Sequence, residues 1–507
     1  MKNTYLGFRI VTVLFIAISH LILFSSCNQT PAPNPENGDI SMVLDSSKSS
    51  KIDALLTDYT TYGKFMGSVL VAQEGKVILK KGYGMANLEW DIPNEPNTKF
   101  KLASITKLFT AMLILQLVAE NKLDLHTPIS TYLPDYPKEN ADRITIHHLL
   151  THTSGTPEFD VFLNYYDIER KTLKPEQLLK LFWDQPLEFE PGSTYSYSNP
   201  GYVVLGVIIE KITGESYESV LQEKIFTPLG MTNSGYDHHY TILKNRAAGY
   251  TPSYKRGKYG NVNYVDMSIP YAAGSIYSTV EDLYLWDQAL YTEKLVSKKY
   301  SDLLFGKHIT ANRNRSYGYG WFMGGLRMGK SKEYVSTMSH GGGINGFRTN
   351  IIRIPKTKSF IVLLSNCERS ELYDLKVAIN GIIHGKPFNP RKSVAYETLE
   401  VIEDEGISKG LSFYDKVKND SDYYLNIEEL NIAGYELLQA NEIKDAAIVF
   451  ELNVQAHPDH FGVYDSYGEV LLMQGDTVGA IENYKKSVQL NPNNRGGVAV
   501  LKSLGVE

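Results

Sequence analysis

Ser104 and Lys107 stand three residues apart in the stretch Phe100 to Lys107, which runs on into the apolar segment Leu108 to Val118. On a helix three residues are nearly one turn, so a hydroxyl and an amine at this spacing share a face. A following helix that is apolar almost all round belongs in a domain centre. A lysine at its head is partly desolvated, which disfavours the charged form and makes the amine a proton acceptor. Serine, a weak nucleophile on its own, needs such a neighbour. Taken alone, the spacing also fits a chance pair in which Lys107 snorkels to solvent.

Two distant stretches could join this pair. Glu190 to Tyr202 is rich in turn residues and precedes an apolar helix, Val203 to Ile212. Tyr197 and Asn199 therefore sit on a loop with rigid neighbours, where reactive groups are often placed, although Asn199 could equally be a helix cap. Ser339 to Phe347 holds Gly341, Gly342 and Gly343 in a loop ahead of a strand at Thr349. Glycines there let backbone N–H groups approach a ligand; a plain turn between strands would look the same. His147, His148 and His152 fall within six residues, but no acidic partner stands at helical spacing, so structural roles are expected and no metal site.

These residues need a frame. The 507 residues, 43% hydrophobic and 21% charged, suffice for two or more folded domains. A net charge of -6 without basic runs gives nucleic acid no foothold, and two cysteines, Cys27 and Cys367, exclude a disulfide scaffold. Ser68 to Ala72 and Val77 to Leu79 flank Glu74-Gly75 as one hairpin, and Thr349 to Ile354 with Phe360 to Leu364 form a second. The economical fold is α/β of the α+β kind: one antiparallel sheet built from both ends of the domain, flanked by helices, with a helical region inserted.

At the start, Lys2 and Arg9 precede the apolar run Ile10 to Phe24, then Ser25-Ser26-Cys27. This reads as an export signal over residues 1–27 that resembles a bacterial lipoprotein processing site, with Cys27 lipidated; an uncleaved anchor is the alternative. Residues 28–51, rich in proline and serine, read as a flexible tether. The main folded domain is placed at 52–388 and a linker with a helical half-repeat at 389–424. In residues 425–507, Gly434 and Gly468, Ala446 and Ala480, Phe450 and Tyr484, Pro458 and Pro492 all recur at an interval of 34, the period of tetratricopeptide (TPR) repeats. Such an all-α tail is either a docking groove for a protein or peptide partner or a helical buttress.

Taken together, Ser104-Ile105-Thr106-Lys107, Tyr197-Ser198-Asn199 and His340-Gly341-Gly342, in that order, resemble the serine β-lactamase and penicillin-binding protein superfamily, on its class C, D-alanyl-D-alanine carboxypeptidase and esterase side. The resemblance implies a β-lactamase/transpeptidase-like fold and an acyl-enzyme on Ser104, with Lys107 and Tyr197 sharing the proton. It implies an oxyanion hole from the N–H groups of Ser104 and Gly343, and substrate binding by Asn199, His340 and Gly342. No metal or organic cofactor is expected. Many relatives carry Lys-Thr-Gly where this chain has His340-Gly341-Gly342. A histidine only partly charged near neutral pH, with no hydroxyl beside it, would bind a carboxylate poorly. The expected function is an exported hydrolase of the cell envelope acting on esters, amides or D-amino-acid peptides; the alternative is a penicillin-binding sensor or scaffold whose tail binds a partner.

Overall fold

The computed structural model describes residues 46–507 apart from 62, 160–167, 253–258, 369, 371, 389–390, 493 and 507. The expected export segment, Cys27 and most of the expected tether lie outside the described residues. The first hairpin joins β1 (Gly67–Gln73) to β2 (Lys76–Tyr83) through Glu74 and Gly75, whose φ values of 54° and 70° give the turn the hand that strand twist favours. The remaining sheet strands are β3 (Ile309–Asn312), β4 (Arg315–Tyr317), β5 (Phe322–Arg327), β6 (Tyr334–Ile344), β7 (Phe347–Ile354) and β8 (Ser359–Ser365). They form one antiparallel sheet in the order β3-β4-β5-β6-β7-β8-β1-β2, and Gly67 of β1 pairs with Ser365 of β8. Strands from both ends of the domain thus meet inside the sheet, as expected.

Helices cover both faces. On one, α1 (Ser46–Thr61) and the late helix Leu372–Ile383 bury Ile52, Leu55, Leu56, Leu375 and Ile379 against Val69, Val71, Ile361 and Leu363. On the other lie α2 (Thr106–Ala119), α3 (Asn199–Thr213) and α4 (Val280–Ala289). Every residue of α2 from Thr106 to Leu117 is buried, as its apolar pattern demands. Each fully buried Leu, Ile or Phe there contributes roughly 1.5–3 kcal/mol. Arg353 of β7 pins α4 by pairing its Nε with Asp287 Oδ1 at 2.5 Å, its guanidinium lying over the rings of Tyr291, Phe305 and Trp321.

Three expectations change. Ser46 to Lys51, placed in the tether, are the first turns of α1, whose single apolar stripe is too sparse to stand out beside a serine run. The glycine stretch is not a loop: His340 to Ile344 are the end of β6, and the turn is Asn345-Gly346, with Gly346 at φ 78°. The region after 389 is more regular than a linker with half a repeat. With Leu372–Ile383 counted as α5, the tail runs α6 (Val394–Glu405), α7 (Ile407–Val417), α8 (Ile427–Gln439), α9 (Ile443–Ala456), α10 (Phe461–Met473), α11 (Thr477–Leu490) and α12 (Arg495–Ser503). Helix α6 supplies the partner of α7, and Lys392–Ser393 pairs with Tyr423–Tyr424 in a short parallel bridge.

The tail has its own core, which includes Leu399, Tyr414, Leu430, Leu437 and Phe450. A Cβ on Gly434 would meet the Phe450 ring at 2.6 Å, and one on Gly468 the Tyr484 ring at 3.0 Å, so the glycine and aromatic positions of the 34-residue pattern interlock. The tail adjoins the sheet domain through the Lys64–Glu397 ion pair (3.2 Å) and the Lys330–Asp422 pair.

Candidate active site

The turn Ala103–Ile105 carries Ser104 at the entrance to α2. It is clamped on two sides: Thr349 Oγ1 donates to the Leu102 carbonyl at 2.9 Å, and Leu102 N–H donates to the Ile276 carbonyl at 2.8 Å. Ala103 is held at φ 49°, a left-handed conformation that costs an L-residue about 1–2 kcal/mol and persists only where the surroundings enforce it. Gly342 allows the enforcement. A Cβ there would lie 2.2 Å from the Leu102 carbonyl oxygen and 2.3 Å from Thr349 Oγ1, so only glycine lets β6 press on the nucleophile turn. Gly342 therefore shapes the site from beneath instead of lining it as a substrate contact.

Lys107 is fully buried one turn on. Its Nζ lies 2.7 Å from Asn199 Oδ1, 2.9 Å from the Ala273 carbonyl and 3.2 Å from Ser104 Oγ. Two of these neighbours can only accept. A neutral amine gives them its two N–H bonds and turns its lone pair to the third, the serine hydroxyl. Burial drives the amine down to about 7, with the Glu158 carboxylate pulling partly the other way. Tyr197 places its ring 4.9 Å from the amine. Burial pushes its phenol well above the ordinary value of 10, a rise only partly offset by its hydrogen bond with Ser104. Of the two proton partners, the lysine is the one poised near neutrality.

The loop bearing Tyr197 is organised by His152, itself at φ 58°. The His152 carbonyl accepts from Ser196 N–H at 2.9 Å, its Nδ1 accepts from Ser198 N–H at 3.1 Å, and its ring lies against Tyr197 at 4.3 Å. Ser198, not Asn199, caps α3 by accepting from Gly201 N–H at 3.2 Å. That frees the Asn199 side chain for Lys107. Glu158, which no motif marked, fixes its orientation: Oε2 accepts from Asn199 N–H at 2.7 Å and Oε1 from Nδ2 at 3.2 Å. One Nδ2 hydrogen remains for a substrate carbonyl. The only sequence signal for Glu158 is its place six residues after His152, the last of the three neighbouring histidines.

His340 departs from expectation. It is buried, and with His152 Nδ1 accepting, the His152 Nε2 proton faces Tyr317 Oη at 3.1 Å. Tyr317 Oη lies 3.3 Å from His340 Nε2, and His340 Nδ1 donates to the Gly341 carbonyl at 2.6 Å. Burial and the nearby Lys107 drive its pKa down to about 3. The imidazole is thus neutral at physiological pH and props the site from behind; it does not line the cleft. His147 Nδ1 lies 2.8 Å from Tyr319 Oη, His148 Nδ1 accepts from Thr145 N–H at 3.2 Å, and among the described residues no group of three or more His, Cys, Asp or Glu is disposed to hold a metal ion.

Above the nucleophile opens a cavity of about 300 Å³ lined by Ser104, Glu158, Asn199 and Gly343 and walled by Phe159, Ile269, Pro270 and Ile344. Strand β5 pairs with β6 only as far as Ser339, so beyond that point the outer edge of β6 has no strand partner among the described residues. Gly343 lies on this edge and lines the same cavity as Ser104.

The family model described as Beta-lactamase matches residues 52–381, about two thirds of the chain. The chain belongs to the beta-lactamase family. Among curated relatives of this family, penicillin-binding protein 4* of Bacillus subtilis (strain 168) is 30% identical over 386 residues, which cover 72% of this chain and 84% of that one. The putative penicillin-binding protein PbpX of the same strain is 34% identical over 269 residues, 53% of this chain and 64% of its own. Among solved structures, a penicillin binding protein from Bacillus halodurans superposes with a TM-score of 0.58 at 31% identity, covering 65% of this chain and 98% of that one. D-amino acid amidase from Ochrobactrum anthropi SV3, complexed with L-phenylalanine amide, gives a TM-score of 0.57 at 25% identity, with 66% and 97% covered. The chain thus has the β-lactamase-like α/β fold of these serine hydrolases, followed by a C-terminal helical region.

Proposed function

We propose that this chain hydrolyses esters, amides or D-amino-acid peptides through an acyl-enzyme on Ser104, on the carboxypeptidase and esterase side of its family. The observation that carries this is the Lys107 amine, held by two carbonyl acceptors with its third direction on Ser104 Oγ. In the first step neutral Lys107 takes the hydroxyl proton as Oγ bonds to the substrate carbonyl carbon, and the carbonyl π pair moves onto oxygen. The N–H groups of Ser104 and Gly343 receive that oxyanion. Tyr197, protonated and in hydrogen-bond contact with Ser104, relays a proton to the leaving group as the tetrahedral species collapses. Water then attacks the ester with the same groups acting in reverse.

The neutral His340 and the glycines after it provide no cation or hydroxyl for a substrate carboxylate, which favours esters and amides over penicillins. Export, with Cys27 lipidated and the chain tethered to the cell envelope, belongs to the same reading, and the tail is read as TPR-like repeats that dock a protein or peptide. Intact-protein mass spectrometry with β-lactams, short esters and D-amino-acid peptides tests the chemistry. The expected result is a transient acyl mass from esters or peptides that is absent in Ser104→Ala. Efficient cephalosporin turnover that depends on Ser104 would overturn the substrate preference.

A further inference from the structure

We propose that strands β4, β5 and β6 carry a second ligand site, separate from the Ser104 cavity, in which Arg315, Lys376 and the Ser339 hydroxyl hold a phosphate group. These three residues line one recess with Gly324, Gly325 and Thr337, and its described lining shares no residue with that of the Ser104 cavity. Lys376 projects from α5 toward the sheet and is only 9% exposed. Among the described residues neither the Arg315 nor the Lys376 side chain has an ion pair or a hydrogen bond. Burial, with the Arg315 charge adding to it, brings the Lys376 amine down to about 8, so it stays mostly charged at neutral pH. Two cations thus share a recess in which repulsion is less screened than in water. A buried charge persists only where something offsets its cost, and the Tyr373 ring, 5.2 Å from Lys376 Nζ, offsets part of it. An anion between the two cations removes the remainder.

The donors select the anion. Thr337 Oγ1 gives its proton to the Gly324 carbonyl at 3.2 Å, whereas the Ser339 hydroxyl has no hydrogen bond among the described residues and is free to donate. A guanidinium fork, an ammonium and a hydroxyl, arriving from a strand, a helix and a second strand, suit a tetrahedral oxyanion with oxygens in several directions better than a planar carboxylate, which the fork alone would satisfy. The recess, about 20 Å³, admits one small group. Gly324 keeps it open, since a Cβ there would press on Arg315 Cγ at 3.0 Å. Arg315, Gly324, Gly325 and Thr337 also line a wider recess of about 640 Å³, where Lys307, Arg313 and Lys356 join them. None of these five cations is in an ion pair among the described residues, although the chain as a whole carries a net charge of -6. Cations gathered in a concave surface draw anions toward it, and the wider recess has space for the rest of a phosphate ester.

The test is calorimetric titration of the full chain with inorganic phosphate at constant ionic strength, with acetate as the comparison. Phosphate should bind about tenfold or more tightly than acetate, and Lys376→Met and Arg315→Gln should each weaken it by about tenfold or more. Melting gives a second reading. Lys376→Met removes a buried charge, so its Tm without phosphate should equal or exceed that of the wild type, while the rise in Tm that phosphate gives the wild type disappears. Glycerol 3-phosphate against glycerol, and phosphatidylglycerol vesicles against phosphatidylcholine vesicles, separate a soluble ester from a lipid headgroup; if neither is bound more tightly than inorganic phosphate, the occupant is free phosphate. No saturable phosphate binding in the wild type, or binding unchanged in both variants, overturns the proposal. Should Lys376→Met fail to fold, Arg315→Gln, a change at an exposed side chain, decides.

Discussion

If Lys107 is the base that activates Ser104, the pH dependence of acylation carries its signature. At a pKa of about 7 the neutral fraction of Lys107 is about 3% at pH 5.5 and about 97% at pH 8.5, so kcat/KM for a neutral ester should rise about 30-fold and then level off. A lysine at its ordinary 10.5 would instead give an increase of about 1,000-fold over the same range with no plateau. The difference between the two is a neutral fraction at pH 7 larger by about three orders of magnitude, or on the order of 4–5 kcal/mol of proton affinity, supplied by taking the amine out of water. The assay is initial release of p-nitrophenol from p-nitrophenyl acetate under kcat/KM conditions, since that parameter reports the free enzyme. Lys107→Arg keeps the charge but cannot lose its proton, so it should cost roughly 10²–10⁴ in rate and abolish the midpoint near 7. A log-linear rise through pH 9, or a Lys107→Arg profile with the wild-type midpoint, would refute the reasoning.

Gly342→Ala should lower kcat/KM at least tenfold and destabilise by about 1–3 kcal/mol, because its Cβ would lie 2.2 Å from the Leu102 carbonyl; Gly341→Ala, whose nearest neighbour is at 3.3 Å, is the mild comparison in the same kinetic and melting assays. His340 has a folded pKa of about 3 against 6.5 unfolded, so between those values the unfolded chain binds the extra proton and stability falls as pH falls, by at most about 1.4 kcal/mol per pH unit. His340→Asn should flatten that part of a Tm-against-pH curve; identical slopes would count against it. Gly434→Val should weaken the tail by driving a side chain into Phe450, lowering the helical transition followed by circular dichroism while p-nitrophenyl acetate hydrolysis is retained.

The parts of the site legible in sequence are those with a local signature. Ser104 and Lys107 announce themselves because three residues on a helix make a contact, and α2 because beyond Lys107 it is apolar almost all round. Tyr197 and Asn199 are legible through the turn residues around them. Glu158 is not: it reaches Asn199 across a loop, and a single acid carries no periodicity. His152 reads as one of three neighbouring histidines with no role marked because its function depends on a left-handed backbone and on a loop more than forty residues further on. Burial, which no local pattern reveals at His340, turned an expected partial cation into a neutral prop. The glycines of β6 read as a loop because glycine usually marks turns, whereas here Gly342 marks a close approach inside a strand. Strands β3, β4 and β5 are short or rich in glycine and polar residues, which hides their alternation.

The pairing of β1 with β8 also sets an order of events. Gly67 and Ser365 are about 300 residues apart, so β1 stays without its neighbour until nearly the whole domain has been synthesised. Closing so long a loop is entropically costly and slow, and until it closes β1 and β2 present an open, apolar edge. The clamp on Ser104 depends on Thr349, which lies on β7, beside β8. A chain cut short before β7 therefore lacks both the sheet's interior pairing and the residue that holds its nucleophile, and competence for chemistry arrives among the last steps of folding.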